Sequence, residues 1–92
     1  MLELSNYVGQ PCQSRLAYEF VPKRDHKLNL ESVAKALKEN EVYIEIEAPY
    51  LLMLKLAGKN VSLFKSGKII VKSTSDKTQA RKVAEKLISK MN

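Results

Sequence analysis

Residues 61–73 read Val-Ser-Leu-Phe-Lys-Ser-Gly-Lys-Ile-Ile-Val-Lys-Ser, two short alternating runs joined through a glycine turn that lysines flank. Alternation places Val61, Leu63, Ile69 and Val71 on one side and Ser62, Phe64, Ile70 and Lys72 on the other, because successive strand side chains point to opposite faces. A basic helix follows at once. Strand, turn, strand and helix in this order predict a sheet with one covered face and one face left for nucleic acid or a protein.

The same periods organise the rest of the chain. Residues 1–14 hold Gly9 and Pro11 without a sustained period and read as an arm that adds an edge strand; residues 15–92 read as a single domain. In residues 15–21, Leu16, Tyr18 and Phe20 alternate with Ala17, Glu19 and Val21 as a first strand. Asn29 then suits a helix N-cap, since its side-chain oxygen can accept from free amides of the first turn. Leu30, Val33, Ala34 and Leu37 recur at i, i+3, i+4 and i+7, and Asn40 suits the exit.

Residues 41–47 predict a second strand, with Val42, Ile44 and Ile46 inward and Tyr43, Glu45 and Glu47 outward. Residues 51–57 predict a third, with Leu52, Leu54 and Leu56 inward and Leu51, Met53 and Lys55 outward, closed by a turn at Gly58-Lys59-Asn60. Ser75 is the expected cap of the last helix, whose apolar stripe is Ala80, Val83, Ala84, Leu87, Ile88 and Met91. The expected class is α+β, in the order βαββββα: one curved antiparallel sheet, two helices packed on one face, the other face open.

Composition narrows the function. At 92 residues with 45% apolar and 28% charged side chains, the chain has room for one folded domain and little for a buried catalytic cleft. The opening Met-Leu-Glu-Leu-Ser-Asn-Tyr lacks the basic start and apolar run of a secretory signal, and no stretch approaches a membrane span, so a cytoplasmic protein without membrane contact is expected. One cysteine, Cys12, and one histidine, His26, do not make a metal site or an internal disulfide. No general acid–base or nucleophilic set emerges, so neither enzyme activity nor a cofactor is expected. Residues 1–50 carry six Lys/Arg and eight Asp/Glu, net −2, whereas residues 51–92 carry ten and two, net +8. Such asymmetry fits an acidic partner or, equally, a solubilising surface.

The segments Lys-Leu-Asn-Leu-Glu-Ser-Val-Ala-Lys-Ala-Leu and Leu63-Phe64-Lys65-Ser66-Gly67-Lys68-Ile69-Ile70-Val71, followed by a helix, resemble one repeat of the TATA-binding protein over about residues 15–91. That resemblance implies half of a saddle, completed by a homodimer or a paralogous heterodimer joined edge to edge, whose sheet takes DNA or RNA. It makes Phe64 a wedge between bases and puts Ser62 at a groove-contact position. Ile70 and Lys72 would pack on sugars and bases, Met53 and Lys55 lie where the family uses arginines near phosphates, and Lys65 and Lys68 flank the turn. Glu47 stands where the family has its other wedge phenylalanine, and Met53 replaces an arginine.

Two functions therefore compete. One is a non-catalytic nucleic-acid-binding domain using the open sheet. The other is a small dimerising accessory subunit that docks onto a larger protein complex; residues 67–88 are weakly similar to the small subunit of the KEOPS transfer-RNA-modifying complex, which implies such a role. Phe64 also reads as cover for the edge of the core, and Lys65, Lys68 and Lys72 as a solvated turn.

Overall fold

A computed structural model describes residues 7–11, 17–24, 26–72 and 76–91. Within them the two runs of the opening stretch become adjacent antiparallel strands, β5 (Lys59–Phe64) and β6 (Ile69–Lys72), with Val61 opposite Val71 and Leu63 opposite Ile69. Four further strands extend this pair: β1 (Tyr7–Pro11), β2 (Ala17–Pro22), β3 (Tyr43–Glu47) and β4 (Leu51–Leu56). The sheet is antiparallel throughout, in the spatial order β1-β2-β6-β5-β4-β3. Part of the expected N-terminal arm is thus the edge strand β1; Cys12 and Ser75 lie outside the described residues.

Helices α1 (Leu30–Glu39) and α2 (Lys77–Met91) cover one face of the sheet, α1 over β3 and β4, α2 over β1, β2 and β6. Leu30, Ala34 and Leu37 of α1 and Ala80, Val83, Ala84, Leu87 and Ile88 of α2 share a core with Tyr18, Phe20, Leu52, Leu54, Leu56, Val61, Leu63, Ile69 and Val71. The fold is therefore the α+β arrangement that the periods predict, with β1 added at one edge.

The helix ends follow from local chemistry. The Asn29 side chain accepts from the Ser32 amide at 3.2 Å and opens α1. At the other end Glu41 takes φ +64°, the Glu41 amide donates to the Lys38 carbonyl and the Val42 amide to the Leu37 carbonyl, while buried Val42 closes the apolar contact. At the start of α2, one Asp76 carboxylate oxygen accepts from the Thr78 amide at 2.8 Å.

Two expectations are corrected. The turn after β4 is the two-residue Ala57-Gly58, with φ +53° and +77°, and Lys59 and Asn60 already belong to β5, Lys59 pairing with Leu56. Positive φ at both positions matches the right-handed twist of the hairpin and favours Asn-Gly. Ala57 bears the cost of a left-handed L-residue, so Ala57→Asn is expected to stabilise the protein by about 0.5–1 kcal/mol. A thermal melt checks this, and an unchanged or lower midpoint contradicts it.

The second correction concerns β3. Its register against β4 shifts between Ile44 and Ile46: Ile44 faces Leu54, yet Ile46 faces Met53 and Glu47 faces Leu52. Such a bulge inserts one residue and exchanges the faces of everything beyond it. Ile46 therefore leaves the core side for the open side. Glu47 turns to the helix side, where its carboxylate meets the Lys38 ammonium of α1.

A candidate interaction face on the open sheet

Register brings a row of side chains straight across the uncovered face. Gln10 is opposite Glu19, Glu19 opposite Ile70, Ile70 opposite Ser62, Ser62 opposite Met53, and Met53 opposite Ile46. Ser62 is only 4% exposed, because this short side chain lies between two long ones. Beside the row, Leu51 is opposite Phe64, Val8 opposite Val21, and Tyr43 opposite Lys55. Met53, Phe64, Ile70 and Leu51 are half-buried, whereas Val8, Tyr43 and Ile46 are 52%, 65% and 48% exposed. Tyr50, in the connection from β3 to β4, is also exposed.

The charges on this face are largely matched. The Lys68 ammonium lies 3.2 Å from Glu19 and 5.4 Å from the centroid of the Phe64 ring, satisfying a carboxylate and a π face together. Gln10 donates to the other Glu19 oxygen at 2.6 Å. That donor, with Lys68 beside it, holds the Glu19 carboxyl below its ordinary range against the opposing effect of partial burial. Its stabilising contribution is fully present above the ordinary carboxylate range and is lost as pH falls through the lowered value. Lys55 lies 3.4 Å from Glu45. Lys72, opposite Ala17, has no ion pair among the described residues.

Seven of the residues singled out in the sequence, Met53, Lys55, Ser62, Phe64, Lys68, Ile70 and Lys72, thus share one face. Lys65 does not join them. It is exposed in the β5–β6 turn and helps to line a cleft of about 650 Å³ at the start of α1 with Lys27, Asn29, Glu31, Glu47 and Pro49. Two lysines and two glutamates give that cleft no dominant charge.

The Ser-Gly-Lys turn is occupied by the protein itself. The His26 amide donates to the Ser66 carbonyl, the Leu28 amide to the Lys65 carbonyl, the Lys65 amide to the Tyr50 carbonyl and the Gly67 amide to the Phe64 carbonyl. The Tyr7 hydroxyl donates to the Gly67 carbonyl at 2.7 Å. With these groups engaged, the turn joins β1, the loop before α1 and the β3–β4 connection.

Burial pushes the Tyr7 phenol up from 10.0 to about 12. Because the folded state holds this proton more tightly, its stabilisation is complete below the ordinary tyrosine range and is lost as pH rises toward the raised value. Tyr7→Phe is expected to cost about 1–3 kcal/mol by stranding the Gly67 carbonyl, and to flatten the alkaline limb of the stability curve. Denaturant melts between neutral and strongly alkaline pH check it; an unchanged limb contradicts the assignment.

Ile46 is the site residue that alternation misplaced, and no local signal in residues 43–47 marks the bulge. Leu51 was legible as outward, whereas its pairing with Phe64 needed the register. Among the described residues no three His, Cys, Asp or Glu side chains gather as metal ligands, and no helix is long and apolar enough to cross a membrane. Neither a protein-family model, nor a curated protein, nor a solved structure matches this chain.

Proposed function

We propose that this chain is a non-catalytic accessory module that docks a protein partner through its open sheet. One observation carries the reading: an apolar surface running from Ile46 and Met53 through Leu51 and Phe64 to Ile70, with two of its lysines already paired to Glu45 and Glu19. An apolar centre with a matched polar rim suits a protein interface. A nucleic-acid surface instead gains affinity from cations free to neutralise phosphates, which favours the accessory-subunit reading over nucleic acid on this face. The expected partner surface is apolar at its centre with both signs of charge at its rim.

The test is co-purification of the tagged protein from its own cells with nuclease present. Wild type is expected to retain a stoichiometric protein partner through a moderate-salt wash, and Met53→Glu or Ile46→Glu to lose it with an unchanged melting midpoint. Retention by both folded variants, or recovery of nucleic acid alone, contradicts the reading.

A further inference from the structure

Half of the ten basic residues of the second half of the chain lie on helix α2, on the opposite side of the sheet from the open face. Helix α2 carries Lys77, Arg81, Lys82, Lys86 and Lys90 against one carboxylate, Glu85. Its buried positions Ala80, Val83, Ala84, Leu87 and Ile88 face the sheet, so the remaining positions divide into two stripes at four-residue spacing. One holds Lys77, Arg81 and Glu85, where Arg81 donates to Glu85 at 3.1 Å. The other holds Lys82, Lys86 and Lys90 and contains no acid.

Lys82 and Lys86 are exposed and have no ion pair among the described residues; Lys90 donates to the Asn40 backbone carbonyl at 3.2 Å, which leaves its charge uncompensated. At about 1.5 Å rise per residue the three positions span roughly 12 Å of one helix edge. Gln79 and Ser89, polar and uncharged, adjoin the stripe.

We infer that the Lys82-Lys86-Lys90 edge of α2 binds the phosphate backbone of nucleic acid without reading sequence. Charge complementarity supports this occupant: a linear, unpaired cationic stripe meets a linear array of phosphates, and each neutralised phosphate releases a counterion. The stripe carries no aromatic side chain on which bases could stack. This surface is separate from the open sheet, so it can succeed or fail independently of the proposed protein docking.

The experiment is fluorescence anisotropy of the full chain with a labelled 24-base-pair DNA duplex, a 24-nucleotide oligo-dT and an oligo-U of equal length. Vesicles containing phosphatidylserine form a further arm. With two to three phosphates engaged, duplex affinity is expected to fall by about 10- to 40-fold between 50 and 200 mM salt. Lys82→Glu/Lys86→Glu, and the milder Lys82→Gln/Lys86→Gln that keeps the assay available if charge reversal impairs folding, should each weaken binding at least about tenfold at 50 mM salt. Met53→Glu, on the other face, should bind as wild type. The duplex and single-strand arms identify which backbone form is preferred, and stronger binding to either supports the inference. Equal binding by the glutamine variant, absence of binding to all three nucleic acids, tighter binding to vesicles than to any of them, or loss confined to Met53→Glu overturns it.

Discussion

Gly67→Val is expected to destabilise the protein by about 2–5 kcal/mol, through strain and overpacking together. Gly67 has φ +99°, a conformation that L side chains rarely adopt. A Cβ there would lie 3.1 Å from the His26 ring, 3.3 Å from the Tyr7 hydroxyl and 3.4 Å from Pro22. The added methyls would push apart the groups that fasten β1 and the loop before α1 to the β5–β6 turn. A domain of this size has about 5–14 kcal/mol of total stability, so the melting midpoint should fall by more than about 10 °C. Differential scanning calorimetry decides it; a midpoint within a few degrees of wild type would mean that the turn does not fasten these segments.

Leu63→Ala is expected to cost about 2–5 kcal/mol, the range for truncating a fully buried leucine and leaving part of its volume empty. Leu63 has no solvent exposure and sits on β5, between β4 and β6, in the shared core. Its sequence neighbour Ser62 points to the open face, and Met53 opposite Ser62 is half-buried there. Met53→Glu should therefore leave the melting midpoint nearly unchanged. Urea melts of the two variants provide the comparison: equal destabilisation by Leu63→Ala and Met53→Glu would show that the sheet has no solvent-facing side at this position.

The contrast between Leu63 and Ser62 was legible in the sequence because both hairpin strands alternate without interruption. The helices were legible for the same reason, their stripes at 3.6-residue spacing matching the buried positions of α1 and α2. The β-bulge was not. Residues 43–47 alternate as regularly as any other run, and the extra residue is set by pairing with β4, so Ile46 and Glu47 exchanged sides without a local sign. The turn at Ala57-Gly58 was displaced because alanine is an unfavourable left-handed residue, and the usual preference directs attention to the glycine and asparagine beyond it.

The electrostatics of the candidate site were still less accessible. Lysine count and charge asymmetry fit an acidic partner or, equally, a solubilising surface, and the pairing of Lys68 with Glu19 depends on β6 lying beside β2, distant along the chain. The pairing of Lys55 with Glu45 depends on the β3–β4 register. Once those contacts form, much of the positive charge on the open face is offset, while Lys82, Lys86 and Lys90 on α2 keep theirs. The expectation of a TATA-binding-like repeat directs attention to the sheet for nucleic acid; the ion pairs on that face and the unpaired lysines of α2 instead support the proposals of protein docking on the sheet and phosphate contact on the outer helix edge.

The most direct test of protein docking on the open sheet is site-specific photocrosslinking in cells, with benzoylphenylalanine replacing Ile46 in one variant and Thr78 in another. Ile46 lies on the open face and Thr78 on the exposed side of α2. Docking through the open sheet should give one discrete, nuclease-resistant protein adduct from position 46 and none of that size from position 78. A nuclease-sensitive adduct at position 46, or the same protein adduct from position 78 alone, would contradict it.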